Sequence, residues 1–343
     1  MTIDLRSDTI TQPTPAMKEA MWSAEVGDDV FAEDPSINAL QDYAAQLFGH
    51  EAALFCPSGT QTNQIAMGCH TSPGDEVICS DLAHIYLYEG GGLAWNSGLS
   101  ARTVVADRGL ILAAHLQGQI NPPDAHYART TLVSIENTVN KGGGAVYALH
   151  ELQDIHRFCK TNGLAVHLDG ARIFNALVAT GDAPQSIGAC FDSLSVCLSK
   201  GLGAPVGSLL IGSHSFIKKA HRRRKSMGGG MRQAGFLAAA GLYALNHHID
   251  RLLIDHMNAK ALAETLKELT WVAHVTKVET NIVIFQLASG IPSAQAVDTL
   301  AQLGIKCFAF GPDKLRFVTH LDNTPEQMDF ALSTLQKTKA GLV

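Results

Sequence analysis

Residues 164–172 read LAVHLDGAR, an apolar run that ends in a carboxylate and a small-residue turn. A nearly continuous apolar run of this length is typical of a strand buried on both faces of a sheet. Similar short runs recur along the first 212 residues, with helical patterns between them. The seven runs are Ala52–Cys56, Glu76–Ser80, Arg102–Ala106, Thr131–Glu136, Leu164–Asp169, Ser193–Ser199 and Gly207–Gly212. This alternation predicts an α/β fold with a mostly parallel seven-stranded sheet flanked by helices.

The pattern changes after about Asp250. A long amphipathic helix is predicted over Arg251–Leu269, and a final helix is predicted to begin at Thr324. Between them lie strand-like runs at 273–279, 281–287, 305–310 and 314–320, and a helical pattern at 293–303. We therefore expect an N-terminal arm over 1–20, a large α/β domain over 21–250 and a smaller α+β domain over 251–343.

Composition excludes several classes of protein. Apolar types make up 46% of the 343 residues and charged types 17%, which favours a globular chain over a disordered one. A net charge of −6 disfavours nucleic acid binding, despite the basic run at 218–225. No apolar stretch approaches the ~20 residues that span a bilayer. We expect a cytoplasmic protein with reduced cysteines, no membrane association and no metal, since the 15 histidines include no HExxH motif.

Ligands of open α/β sheets bind beyond the carboxyl ends of the strands, so the residues that follow each run carry the chemistry. After the first run, Cys56-Pro57-Ser58-Gly59-Thr60 leads into a helical pattern. Two hydroxyls and a glycine at a helix N-terminus suit a phosphate group. They also suit an ordinary N-cap after a turn.

Two further strand ends carry charged residues. Asp169 could hold a protonated ring nitrogen or a metal, or it could cap the next helix and pair with Arg172. Lys200 follows the run Ser193–Ser199, where it could form a Schiff base or simply point into solvent. A phosphate site, a ring-nitrogen carboxylate and a Schiff-base lysine, in that order along the chain, are the groups that pyridoxal phosphate requires. The ordered set predicts a pyridoxal-phosphate enzyme.

The chain resembles the low-specificity L-threonine aldolases, pyridoxal-phosphate enzymes of the aspartate-aminotransferase fold (fold type I). The resemblance extends from residue 3 to about residue 322. It is carried by Arg6–Thr9, Gly27–Val30, Pro57–Thr60, Ala83–Ile85, Glu136–Thr138, His167–Arg172, Leu198–Gly207, Gly228–Gln233 and Arg316–His320.

The resemblance implies a role for each matched residue. Lys200 would bind the cofactor covalently, and Asp169 would pair with its ring nitrogen. The other implied cofactor contacts are Ser58, Gly59 and Thr60 at the phosphate, His84 stacked on the ring, Arg172 near the phenolic oxygen, and Arg232 at a phosphate in the neighbouring subunit. The implied substrate contacts are Ser7 and Arg316 at the carboxylate and His126 near the side chain. A homotetramer, a dimer of dimers with sites shared between subunits, would follow.

The implied reaction is reversible cleavage of L-threonine, L-allo-threonine and other β-hydroxy-α-amino acids to glycine and an aldehyde. The base for the β-hydroxyl proton stays open between His84, His126 and a water that they hold. Another enzyme with the same cofactor, either a β-eliminating lyase or an aminotransferase, is the nearest alternative. A non-catalytic binding protein is a third possibility, against which Lys200 argues.

Overall fold

The computed structural model describes residues 1–342. Its strands are β1 (Ile3–Asp4), β2 (Ala52–Cys56), β3 (Glu76–Ser80), β4 (Ser100–Val104), β5 (Thr130–Glu136), β6 (Ala165–Gly170), β7 (Ser193–Cys197), β8 (Ser208–Gly212), β9 (Val272–Val275), β10 (Ile282–Leu287), β11 (Ile305–Lys306), β12 (Phe308–Ala309) and β13 (Lys314–Val318). Its α-helices are α1 (Pro15–Trp22), α2 (Pro35–Phe48), α3 (Gly59–His70), α4 (His84–Leu87), α5 (Gly92–Ser97), α6 (Ala113–Leu116), α7 (Leu149–Thr161), α8 (Ile173–Thr180), α9 (Pro184–Gly188), α10 (His214–Ser226), α11 (Gly235–His247), α12 (Leu252–Lys267), α13 (Ser293–Gln302) and α14 (Pro325–Lys337).

The large sheet has the strand order β2-β8-β7-β6-β5-β3-β4. β8 runs antiparallel to both of its neighbours, β2 and β7, and the other strand pairs of this sheet are parallel. Each of the seven predicted runs forms one of these strands, so the predicted fold class is confirmed. β3, β7 and β8 are buried along their whole length, as their continuous apolarity predicts.

A second, four-stranded sheet is antiparallel, with the order β12-β13-β10-β9. It packs with α12, α13 and α14 around its own hydrophobic core. The N-terminal segment joins both regions of the molecule. β1 pairs with β11 in parallel, whereas α1 packs against α11 beside the large sheet. The domain boundaries stay a prediction.

Local signals in the sequence set several helix ends. At the start of α14, Thr324 Oγ1 accepts a hydrogen bond from the Gln327 N–H, and Gln327 Oε1 accepts one from the Thr324 N–H. After α7, Gly163 adopts a φ of 69°, a left-handed conformation that favours glycine. Among the described helices, none is long and apolar enough to cross a bilayer.

Candidate active site

The carboxyl ends of β2, β6 and β7 bring the three predicted groups to one cavity of about 150 Å³. These groups are the Ser58–Thr60 turn, Asp169 and Lys200. Asn63, His84, Ala171, Cys197 and Ser199 complete the lining. The strand order places β6 next to β7, so Asp169 and Lys200 converge although they are 31 residues apart.

The Ser58–Thr60 turn opens α3, a helix of 12 residues. Ser58 is the N-cap, and its Oγ accepts a hydrogen bond from the Gln61 N–H at 3.2 Å. Ser58 therefore does act as an ordinary N-cap, and the N-terminus of α3 still faces the cavity. Gly59 lies against β7, where a Cβ would collide with the Cys197 sulfur. This close approach accounts for glycine in the turn.

Asp169 is buried at the end of β6, with 3% of its surface exposed. Its Oδ2 accepts a hydrogen bond from Asn63 Nδ2 at 2.9 Å, and its Oδ1 accepts one from the Ala171 N–H at 3.2 Å. The alternative pairing with Arg172 does not occur, because Arg172 forms a bidentate contact with Asp8. Asp169 is thus left as a cavity-facing carboxylate.

Lys200 lies just beyond β7 and is half-buried. Its carbonyl accepts a hydrogen bond from Thr11 Oγ1 at 2.9 Å, which fixes the backbone against the N-terminal segment. The lysine lines the cavity and does not lie on an open surface. This placement disfavours the alternative of a solvated loop lysine.

His84 begins α4 at the cavity wall, and a cluster of acids surrounds it. Its Nδ1 lies 2.9 Å from Oε1 of the buried Glu89. Burial lowers the pKa of His84, but the bond to Glu89 and the nearby charge of Asp169 outweigh burial, so the net pKa is raised. Burial and the charge of Asp169 raise the pKa of Glu136 to about 7, although Glu136 accepts backbone bonds from His84 and Asn140.

Arg316 lies on β13 and is 9% exposed. Its Nη1 donates to Asn140 Oδ1 at 3.0 Å, and its Nη2 donates to the carbonyl of Arg6 at 3.2 Å. The Nε group is buried without a hydrogen-bond partner among the described residues. Burial, followed by the neighbouring Arg172, lowers the pKa of Arg316 to about 10. An unpartnered buried guanidinium N–H is suited to an anionic ligand.

Ser7 is buried directly after Arg6, whose carbonyl Arg316 contacts. Its Oγ accepts bonds from the N–H and the hydroxyl of Thr9. Ser7 thus directly follows the residue whose carbonyl Arg316 contacts, and its predicted role at the substrate carboxylate stays a prediction.

Five predicted site residues are not among those that line the cavity. Ser7, Arg172 and Arg316 are buried, whereas His126 and Arg232 lie on the surface of this chain. The His126 side chain is 89% exposed, and its Nδ1 lies 2.7 Å from Asp124 Oδ1. Arg232 is also exposed, and it pairs with Asp28 at 2.8 Å. Their predicted roles stay predictions, and for Arg232 the prediction concerns a neighbouring subunit.

The donor set fits the predicted cofactor. A helix N-terminus offers N–H and hydroxyl groups for a phosphate, Asp169 offers a carboxylate for a ring nitrogen, and Lys200 offers an amine. His84, Glu89 and Asp169 also place ligand atoms within 4.8 Å of one another, a spacing that a metal ion could use. However, the Asn63 amide donates into both carboxylates, and a cation would repel that N–H group. We interpret the cluster as a hydrogen-bond network.

Sequence reasoning left several residues of this site without a role. They are Asp8, Asn63, Glu89, Glu136 and Asn140. Asp8 and Glu136 lie inside motifs quoted above, and that proximity was the available signal. Asn63 and Glu89 are ordinary polar residues in the sequence, and only their burial beside Asp169 marks them.

Comparison with known proteins gives a consistent result. The sequence model of the beta-eliminating lyase family matches residues 4–289. The low specificity L-threonine aldolase of Escherichia coli (strain K12) is 46% identical over 327 residues, covering 95% of this chain and 96% of that protein. Low-specificity L-threonine aldolase 1 of Arabidopsis thaliana is 40% identical over 342 residues, covering 98% of this chain and 96% of that protein.

Solved structures show the same fold. The threonine aldolase of Leishmania major superposes with a TM-score of 0.85 at 21% identity, covering 97% of this chain and 98% of that chain. The serine palmitoyltransferase of Sphingomonas wittichii superposes with a TM-score of 0.77 at 17% identity, covering 99% of this chain and 88% of that chain.

Proposed function

Because this chain belongs to the family of low-specificity L-threonine aldolases, we infer that its cavity cleaves L-threonine to glycine and acetaldehyde. The enzyme is a lyase, and its cofactor is pyridoxal 5′-phosphate. The observation that carries the proposal is the convergence of Ser58–Thr60, Asp169 and Lys200 on one cavity. We extend the proposal to L-allo-threonine, to other β-hydroxy-α-amino acids and to the reverse reaction.

When bound, the cofactor supplies an electron sink for the negative charge that develops on Cα. The residues of the chain hold and orient the reactants. Ser58, Gly59 and Thr60 would bind the phosphate, and Asp169 would accept the N–H of the ring. Lys200 would attach the cofactor covalently, and Arg172 would lie near its phenolic oxygen. The pairing of Arg172 with Asp8 supports this last role because it holds the guanidinium at the end of β6.

Arg316 and Ser7 would bind the substrate carboxylate. Arg316 is pre-positioned by Asn140 and by the Arg6 carbonyl, and its Nε group is unpartnered among the described residues. A fixed carboxylate sets the orientation of Cα, and so selects which of its bonds breaks. Phe310 supports the guanidinium from one face, with its ring centroid 4.9 Å from the Arg316 Cζ atom.

We propose His84 as the base that removes the β-hydroxyl proton. Its Nδ1 is held by Glu89, so a neutral ring keeps its proton there and presents Nε2 as the acceptor. His84 lines the cavity, whereas His126 is exposed on this chain. His126 remains a proposed substrate contact.

We also propose a homotetramer with sites shared between subunits, located in the cytoplasm. Two predicted site residues, His126 and Arg232, are exposed on the surface of their own chain, which supports sharing. Seven free cysteines support a reducing compartment. Light scattering on the purified protein measures its mass, and an assay of the same sample measures its activity. A monomer with full activity would contradict the proposed assembly.

Turnover of L-threonine and L-allo-threonine, measured side by side, tests the proposed reaction. Aldol cleavage gives glycine and acetaldehyde from both substrates. Release of ammonia and a 2-keto acid would instead show β-elimination, and transfer of the amino group to a keto acid would show an aminotransferase. Either result would overturn the proposal.

A further inference from the structure

A chain of hydrogen bonds crosses the core behind the proposed ring-nitrogen site. His70 Nε2 lies 2.8 Å from Ser193 Oγ, which lies 2.8 Å from His167 Nδ1. His167 Nε2 lies 3.1 Å from Asn63 Oδ1, and Asn63 Nδ2 donates to Asp169 Oδ2 at 2.9 Å. Of these five residues only His70 is not fully buried.

The fold places these hydrogen-bonded residues in a row. His167 and Asp169 are two residues apart on β6, so their side chains lie on the same face of the sheet. Ser193 is the partner of His167 in the register between β6 and β7. α3 covers that face, and Asn63 and His70 lie two turns apart on it. One helix therefore supplies both the first and the fourth member of the chain.

The direction of each hydrogen bond follows from its chemistry. Asn63 Nδ2 faces two carboxylates, Asp169 at 2.9 Å and Glu89 at 2.8 Å, and carboxylates accept. Asn63 must therefore turn its oxygen towards His167, which has to donate from Nε2. A neutral His167 then has a bare Nδ1 and accepts the hydroxyl proton of Ser193.

Both imidazoles are neutral in the folded protein. Burial lowers the pKa of His167 to about 3 and that of His70 to about 4. Each ring therefore carries one N–H, and with Ser193 donating to His167, the Ser193 oxygen accepts the N–H of His70. All four links point the same way, towards Asp169.

We propose that His70, Ser193, His167 and Asn63 are positioning residues that orient the Asp169 carboxylate for the ring nitrogen of the cofactor. The row of hydrogen bonds begins at the amino end of β6. There, His70 and Ala165, the first residue of that strand, line a cavity of about 600 Å³. The row ends at the catalytic carboxylate. The proposal rests on the proposed function, because it requires that Asp169 meets a ring nitrogen.

The test compares two cofactors in the full-length apoenzyme. One is pyridoxal phosphate, and the other is its analogue with a C–H group in place of the ring nitrogen. The quantity measured is the ratio of the two dissociation constants. An effect that acts through the ring nitrogen changes this ratio, whereas general damage to the site weakens both cofactors alike.

His167→Leu removes the donor to Asn63 and should reduce the preference for pyridoxal phosphate by roughly 3- to 10-fold. His167→Gln keeps an N–H near the Nε2 position and should restore most of that preference. Equal weakening of both cofactors in His167→Leu would overturn the proposal, and so would an unchanged preference. If wild type itself showed no preference for pyridoxal phosphate, the proposed role of Asp169 would be wrong. The proposed role of the four positioning residues would then be wrong as well.

Two further variants serve as a negative control and as a milder substitution within the hydrogen-bonded row. His50 lines the same 600 Å³ cavity but bonds to the Gly188 carbonyl at 3.1 Å, outside the chain. His50→Leu should therefore leave the preference unchanged. If His167→Leu does not fold, Ser193→Ala removes only one hydroxyl and should reduce the preference at least about twofold. An unchanged ratio in Ser193→Ala would overturn the proposal.

Discussion

Arg172 and Asp8 form a bidentate ion pair inside the protein, with N–O distances of 2.6 and 2.7 Å. They are 164 residues apart in the chain, and both are buried. Burial raises the pKa of Asp8, but Arg172 outweighs it, and the net pKa falls to about 2. The pair thereby fixes the N-terminal segment, including Ser7, against the end of β6.

Asp8→Asn should lower the free energy of unfolding by about 3–5 kcal/mol, because it leaves the Arg172 charge buried without a partner. In wild type, the carboxylate stabilises the fold above pH 4 and loses that contribution as the pH falls from about 4 to about 2. The variant should lack this part of the acid dependence. Urea unfolding at several pH values measures both effects. Asp154→Asn, at an exposed pair with Arg157, should change stability by less than about 1 kcal/mol.

Lys200→Ala should keep the fold but abolish covalent attachment of the cofactor and nearly all turnover. The substitution removes the side-chain amine but keeps the hydrogen bond from Thr11 Oγ1 to the backbone carbonyl of residue 200. Mass spectrometry after borohydride reduction measures attachment, and glycine release measures turnover. Lys218→Ala, on the exposed face of α10, is the matched control. Wild-type turnover in purified Lys200→Ala would contradict the assignment.

Asp169→Asn should reduce turnover by several orders of magnitude while the protein still binds its cofactor. A neutral amide cannot stabilise a protonated ring nitrogen, so the negative charge on Cα loses its sink. The shape of the site is kept, since the amide can still accept a bond from Asn63. Spectrophotometric cofactor titration and single-turnover kinetics separate the two effects. A variant that binds poorly but turns over normally when saturated would show that Asp169 has only a structural role.

Arg316→Ala should raise KM for L-threonine and lower kcat. Loss of a charged hydrogen bond costs about 1.5–3 kcal/mol, or roughly 10- to 150-fold in kcat/KM. The rate falls as well because the carboxylate contact aligns Cα. Arg316→Lys should recover only part of the loss, since an ammonium cannot make the planar two-point contact. Lys314→Ala, exposed on the same strand, should behave as wild type, and unchanged kinetics in Arg316→Ala would refute the proposed substrate pose.

Glu136→Gln should change how the stability of the apoenzyme depends on pH. Burial raises the pKa of Glu136 to about 7, so the protonated form is favoured in the folded state. Wild type should lose stability as the pH rises from about 5 to about 7, by on the order of 2 kcal/mol, and the variant should not. Thermal unfolding between pH 5 and pH 8 measures the difference. The exposed Glu264→Gln should leave the dependence as in wild type, and parallel curves for Glu136→Gln and wild type would refute the raised pKa.

The sequence by itself determined the seven strands of the large sheet and the three groups at their ends. Strands buried on both faces demand continuous apolar runs, and the polar residue that ends each run marks the sheet edge, so both signals are local. Motif resemblance added Arg316 and Ser7, which no local pattern would have selected. Tertiary structure alone decided which partners surround these groups. Arg172 pairs with Asp8 rather than Asp169, and Asn63 connects Asp169 to His167, because packing brings together side chains that are more than 100 residues apart. Burial and charge pairing arise from that packing, and they set the protonation of Asp8 and Glu136.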